Sequence, residues 1–341
     1  MSFAALFRSP PALERNMLSR RHALSRLATL GAFIPLPGPQ RRQVGRWLRG
    51  WAESLLLAGT DAVVVSYGKS GRTWLRLMLS RFYQRRYGLP EGSFLEYDNL
   101  SRQVPEIPTL FFTHGNYLGD FTGHLDAVSE DFRDRRILLL VRDPRDVAVS
   151  QYFQWKFRMS SHKRWLNRYP PIADDLTIWQ FVSEHEAGLD RAIRFLDLWT
   201  EATSKLEAIE VVRYEDMRTD PESALHRVLQ FLGADPDQAG VRDAVEYSRF
   251  ENMRRLEDQS QVSASGRRML PGQRGKSDSY KVRRAKVGGW RDYFDAEQIA
   301  VLDDRVKAGL RPGFGYGPAE QTLVDDSAPT DDRTNKERVN A

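Results

Sequence analysis

The residues best able to do chemistry lie together after one short apolar run. Val63, Val64 and Val65 lead through Ser66 and Tyr67 into Gly68-Lys69-Ser70-Gly71-Arg72-Thr73-Trp74, and Leu75, Leu77, Met78, Leu79 and Phe82 follow. Three β-branched residues, a Gly-Lys-Ser-Gly turn and an amphipathic segment spell strand, tight loop and helix. At such a junction unsatisfied backbone N–H groups and the helix dipole favour an anion above the strand end. Lys69 adds a charge, and the hydroxyls of Ser70 and Thr73 add donors. The chemistry this suits is the handling of a phosphate or sulfate. Read alone, the same turn also suits a plain polar β–α connection.

The loop is not a Walker A motif, which spaces Gly, four residues and then Gly-Lys-Ser/Thr around a nucleoside triphosphate. Here Lys69 precedes Gly71, and Val64 stands where the first motif glycine would fall. No apolar run ending in aspartate stands out to hold Mg²⁺. A P-loop kinase or NTPase is the alternative function, and its spacing is missing.

Arg136-Ile137-Leu138-Leu139-Leu140-Val141 reads as a strand buried on both faces of a parallel sheet. Arg142 follows it, then Asp143-Pro144-Arg145-Asp146. Asp143 suits a helix N-cap, Pro144 the first helical position, and Asp146 the N3 place of a capping box. Arg142 therefore sits at the carboxyl end of a central strand, where open α/β sheets bind ligands, with Ser150 two turns into the helix. A structural pairing of Arg142 with Asp146 is the other reading. Thr109-Leu110-Phe111-Phe112 predicts a further strand, ending at Thr113-His114.

Together these stretches resemble the paired signatures of the PAPS-dependent sulfotransferases of the cytosolic type. Tyr67 to Trp74 is similar to that family's 5′-phosphosulfate loop, Tyr-Pro-Lys-Ser-Gly-Thr-Thr-Trp. Arg142 to Ser150 is similar to its 3′-phosphate segment, Arg-Asn-Pro-Lys-Asp-Val-Ala-Val-Ser. Arg283-Arg284-Ala285-Lys286-Val287-Gly288-Gly289-Trp290 resembles its late Arg-Lys-Gly-x-x-Gly-Asp-Trp motif. The resemblance implies a P-loop-type three-layer α/β/α fold around a mainly parallel sheet. It also implies the donor 3′-phosphoadenosine 5′-phosphosulfate (PAPS), and no metal.

Roles follow from the resemblance residue by residue. Lys69 would assist the leaving phosphate, the backbone around Ser70, Gly71, Arg72 and Thr73 would hold the 5′-phosphate, and Trp74 would stack on adenine. Arg142 and Ser150 would bind the 3′-phosphate with Arg283 and Arg284. Tyr214 would reach the adenine edge, and Phe250 would supply a second ring. His114 maps onto the catalytic base, and a neutral imidazole suits that task. The catalytic candidates are thus His114, Lys69 and Ser150. The implied reaction is in-line sulfuryl transfer to a hydroxyl or amine acceptor; a catalytically inactive nucleotide-binding module is a further alternative.

The pattern also departs from the family's. Gly68 replaces a proline, Arg72 a threonine, Gly289 an aspartate, and Phe112 a lysine, which removes one assisting cation. Ala285 replaces a glycine, which would restrict a turn needing positive φ. Histidines 22, 124, 162, 185 and 226 have no comparable setting and read as surface or packing residues.

The chain that must position these groups has 341 residues, 41% of them hydrophobic, enough for one large α/β core with extensions. Zero cysteines exclude disulfides and cysteine metal ligands and fit a reducing cytoplasm. A net charge of +5 fits a polyanionic donor. No zinc-finger or RNP-type motif accompanies it, so no nucleic acid is expected. The expected organisation is an arginine-rich helical extension over 1–58, a sulfotransferase domain over 59–316 and a disordered polar tail over 317–341. The first fifty residues hold nine arginines against one acid, Glu14. Such an extension suits peripheral membrane contact, an oligomer arm in a homodimer, or packing on the core. Phe153 to Met159, Trp165 to Pro171, and a flap over 258–282 are expected to shape a pocket for a small-molecule, glycan or lipid acceptor.

Overall fold

The computed structural model describes residues 36–91, 93–173, 175–259 and 277–317. Most of the arginine-rich extension, the central part of the 258–282 flap and the polar tail lie outside these residues. The described chain opens with α1 (Gly38–Ala58), β1 (Ala62–Ser66) and α2 (Arg72–Tyr87). Next come β2 (Leu110–Thr113), α3 (Leu118–Thr122), β3 (Ile137–Val141), α4 (Pro144–Arg158) and α5 (Ser161–Leu166). Beyond α6 (Ile178–Ser183) and α7 (Leu189–Thr203) lie β4 (Ile209–Arg213), α8 (Tyr214–Thr219), α9 (Pro221–Phe231), α10 (Gln238–Tyr247), α11 (Phe250–Gln259) and α12 (Ala296–Gly309).

The strands form one parallel sheet in the order β2-β1-β3-β4. Alternation along each strand feeds two cores. Val63, Val65, Ile137, Leu139 and Val141 face α4, α7 and α12 through Trp155, Trp199 and Leu302. Ala62, Val64, Leu138, Leu140 and Val212 face α2, α9 and α10 through Leu75, Leu229 and Ala244. The result is the three-layer α/β/α arrangement. Val63 to Val65 and Ile137 to Val141 are all fully buried, each aliphatic side chain contributing about 1.5–3 kcal/mol of burial.

Two sequence expectations fail here. Helix α2 is not amphipathic: Leu75 through Gln84 are buried without interruption, because α10 and α9 cover the face turned away from the sheet. The capping box at α4 is not formed either. Asp143 caps the helix, accepting from Arg145 N at 2.8 Å, but its own N–H donates to Glu215 Oε1 at 3.1 Å rather than to Asp146. The Asp146 carboxylate accepts instead from the backbone N–H groups of Gly288 and Trp290, each at 2.9 Å.

The described part of the extension is α1, which lies against α3. Gly50 is the contact point: a Cβ there would stand 2.1 Å from the Tyr117 carbonyl oxygen. Among the described residues no helix is long and apolar enough to cross a membrane.

Candidate active site

The carboxyl ends of the strands open into one cleft of about 1760 Å³. Its floor is the loop between β1 and α2. Lys69 has φ 80°, a left-handed conformation for a residue with a side chain, and Gly71 follows at φ 95° as the N-cap of α2. Holding Lys69 there costs roughly 1–3 kcal/mol, a strain characteristic of functional loops. Gly71 is also sterically required, since a Cβ would lie 2.6 Å from Tyr214 Cδ2. Lys69 gives up solvent beside Arg158, Arg142 and Arg283; burial first, then those three charges, pull its pKa down to about 7.

Arg142, at the end of β3, is held on several sides. It donates to the carbonyls of Lys69 at 3.3 Å and Lys286 at 3.2 Å and pairs with Asp146 at 3.3 Å. Its guanidinium lies 4.1 Å from the Tyr214 ring centre, and its Nε is buried without a partner. The Arg142–Asp146 pairing is therefore real, and Arg142 faces the cleft as well. Ser150 lines the same wall.

Trp74, Tyr214 and Phe250 form an aromatic slot. Trp74 and Tyr214 meet edge to face at 5.9 Å, Trp74 Nε1 donates to Ser248 Oγ at 3.2 Å, and Phe250 packs into the cluster that holds Trp74. Ser248 is the C-cap of α10, and α11 starts at Phe250. Arg283 and Arg284 arrive from the late loop. Arg283 stacks 3.9 Å from the Phe153 ring centre and donates to the Tyr293 hydroxyl; Arg284 pairs with Asp292 at 2.9 Å and is half exposed. Ala285 has φ 53°, so the turn does need the left-handed region.

His114 stands at the end of β2. Its Nδ1 is 2.7 Å from the Ser66 carbonyl oxygen and 2.9 Å from Arg72 Nη2. Burial, then the charges of Arg72, Lys163 and Lys281, hold its pKa well below the ordinary histidine value, so the ring is neutral at pH 7. Arg72, where the family has a threonine, sets its charge beside this ring. Its side chain turns back beneath the strand ends, bonding Ser66 Oγ at 2.8 and 2.9 Å, the Ser66 carbonyl at 3.0 Å and the Thr113 carbonyl. Ser70 is buried in the loop, while Thr73 lines the cleft at the start of α2.

Several contributors were not apparent from sequence. Glu257 is fully buried and accepts from Arg158 at 3.1 Å, Lys281 N at 2.7 Å and Val282 N at 3.0 Å, tying α4 and α11 to the late loop. His162, read from sequence as a surface or packing residue, lines the cleft beside Arg49 of α1. Glu53 of α1 receives the Thr113 hydroxyl at 3.1 Å. A carboxylate 99 residues from its arginine leaves no local pattern.

The donor set fits a nucleotide carrying two anionic groups. It offers an arginine with a buried unpartnered Nε, a loop where only glycine fits, cations on three sides and an aromatic slot. No curated protein matches the sequence. Among solved structures, a mouse sulfotransferase, SULT7A1, complexed with PAP shares 18% identity, 75% of this chain and 86% of that one, with TM-score 0.48. A retinol dehydratase in complex with androsterone and inactive cofactor PAP shares 17%, 86% of each chain, with TM-score 0.47. Residues 59–313, most of the chain and every cleft element from β1 onward, match the model of the sulfotransferase domain; the chain belongs to the sulfotransferase family.

Proposed function

We propose that this sulfotransferase moves a sulfuryl group from PAPS to an acceptor hydroxyl, with His114 as general base and Lys69 at the leaving phosphate. The observation that carries the reading is the placement of these two side chains on neighbouring strand ends, facing one cleft. Arg142, Ser150, Arg283 and Arg284 would hold the 3′-phosphate. The backbone of Ser70 to Thr73 would hold the 5′-phosphate, and Trp74, Tyr214 and Phe250 the adenine. PAPS, when bound, supplies the sulfuryl group and a phosphate leaving group.

What the chain's own residues do follows from their geometry. An arginine only donates, so it cannot accept a proton from His114. Arg72 Nη2 has two hydrogens, and Ser66 and Thr113 oxygens take them. His114 Nδ1–H then donates to the Ser66 carbonyl at 2.7 Å, which leaves the lone pair on Nε2. That is the tautomer a base needs. Lys69, near its titration point, gains full charge when an anion lies beside it and stabilises charge on a departing phosphate oxygen.

His114→Ala is expected to abolish transfer of labelled sulfate from PAPS while changing affinity for adenosine 3′,5′-bisphosphate (PAP) less than threefold. Surviving turnover overturns the base assignment. PAP binding with no measurable affinity for ATP separates this reading from the kinase alternative. We further infer a cytoplasmic enzyme whose α1 is a packed wall of the cleft.

A further inference from the structure

Sheet order divides the cleft. Lys69, Arg142 and Tyr214 hang from the ends of β1, β3 and β4, the nucleotide half. The edge strand β2 carries His114, followed by Asn116 and Tyr117, and beyond it lies α1. That helix precedes the family-matched residues 59–313.

Helix α1 reaches the cleft through Arg46 and Arg49. Arg46 is consumed by structure. It grips Asp120 at 2.6 and 3.1 Å and donates to the Asn116 carbonyl at 2.5 Å. Arg49 is placed differently. Its guanidinium lies 5.7 Å from the Tyr117 ring centre, its Nη2 is 3.4 Å from His162 Nε2, and its Nε is buried without a partner. Among the described residues no carboxylate lies within ion-pair distance of it. The carboxylates lining this half are already engaged: Asp120 by Arg46, Glu186 by Arg191 at 3.0 Å, and Asp190 by Arg305 at 3.7 Å. Glu53, one turn along α1, is pushed up to about 7 by burial, so it compensates Arg49 only in part. Lys163, from α5, adds a further cation whose charge reaches His114.

A guanidinium resting on the Tyr117 ring, held by donation to His162 Nε2 and facing a cleft, lacks only an anion. We propose that the acceptor carries a negative charge (a carboxylate, phosphate or sulfate) and that Arg49, positioned by His162 and Tyr117, receives it, which makes α1 the acceptor-selecting element. The proposal rests on the sulfotransferase reading of the same cleft. A guanidinium forks two parallel hydrogen bonds onto any of these groups, so recognition is by charge and planarity.

The test uses the full chain saturated with PAP, and calorimetry with matched pairs: 4-hydroxybenzoate against 4-hydroxybenzamide, and glucuronate against glucuronamide. In at least one pair the anion is expected to bind about tenfold tighter or more, the worth of one charge-assisted contact. Arg49→Gln should erase that ratio and Arg49→Lys should keep part of it, both with PAP affinity intact, which shows that the variants fold. Equal binding within each pair, binding of neither member of either pair, or a ratio that survives Arg49→Gln overturns the proposal. Loss of PAP binding by the unaltered chain would instead sink the sulfotransferase reading beneath it.

Discussion

Arg72 Nη2 lies 2.9 Å from His114 Nδ1, while the Ser66 carbonyl oxygen lies 2.7 Å from the same nitrogen. The two contacts ask for opposite tautomers, and only the carbonyl's demand leaves Nε2 able to take a proton. Arg72 thus works on His114 through charge and through its grip on Ser66 and Thr113, the residues that end β1 and β2.

Arg72→Thr should therefore raise the pKa of His114. A like charge nearby disfavours protonation, and removing it shifts the acid limb of the kcat/KM profile upward. Burial, the larger cause, stays in place. An acid limb that does not move, or moves down, contradicts the assigned coupling.

Lys69 makes a second pH-dependent prediction. Its pKa of about 7 in the open cleft rises when a phosphate lies beside it. At pH 8 the binding of PAP should take up a proton, approaching one equivalent; at pH 6 Lys69 already carries the proton and its uptake falls towards zero. Calorimetry in buffers of different ionisation enthalpy reads this, and Lys69→Met gives the baseline to subtract. Identical proton uptake in the two proteins would refute it.

These groups were legible because each belongs to a contiguous strand-turn-helix pattern. The apolar run predicts the strand, the glycine or proline its end, and the polar residue between them the ligand-facing position. What sequence misses is held by long-range contacts. Asp146 sits at a capping-box spacing, yet it is drawn away by backbone donors 142 and 144 residues distant. Glu257 and Arg49 lie in ordinary charged helices, and only packing brings Arg49 to the cleft and Glu257 to Arg158. Helix α2 shows an apolar stripe, but periodicity cannot report that α10 covers its other face.

Ala285 occupies φ 53°, just after the two arginines of the late loop. The left-handed region costs an L-residue roughly 1–2 kcal/mol, and glycine's extra freedom in the unfolded chain returns about 0.5–1 kcal/mol. Relief wins by a narrow margin. Ala285→Gly should raise the melting temperature by about 2 °C and leave PAP affinity equal or better. A lower melting temperature would show that the turn is not strained.

Glu53 offers the clearest separation of stability from pH. The carboxyl is pushed from 4.5 up to about 7, chiefly by burial, against the Thr113 hydrogen bond and the charges of Arg72, Arg49 and Arg46. Between those two values the folded state holds a proton that the unfolded state releases, so this group's contribution to stability declines as pH rises from 4.5 through 7. Glutamine imitates the protonated form and keeps an oxygen to accept from Thr113. Glu53→Gln should therefore lie close to the unaltered protein at pH 4.5 and melt higher at pH 8, the gap widening between the two. Thermal unfolding at the two pH values decides it. If the variant is instead less stable at pH 8, the ionised carboxylate is a net partner of the arginines rather than a burden on the fold.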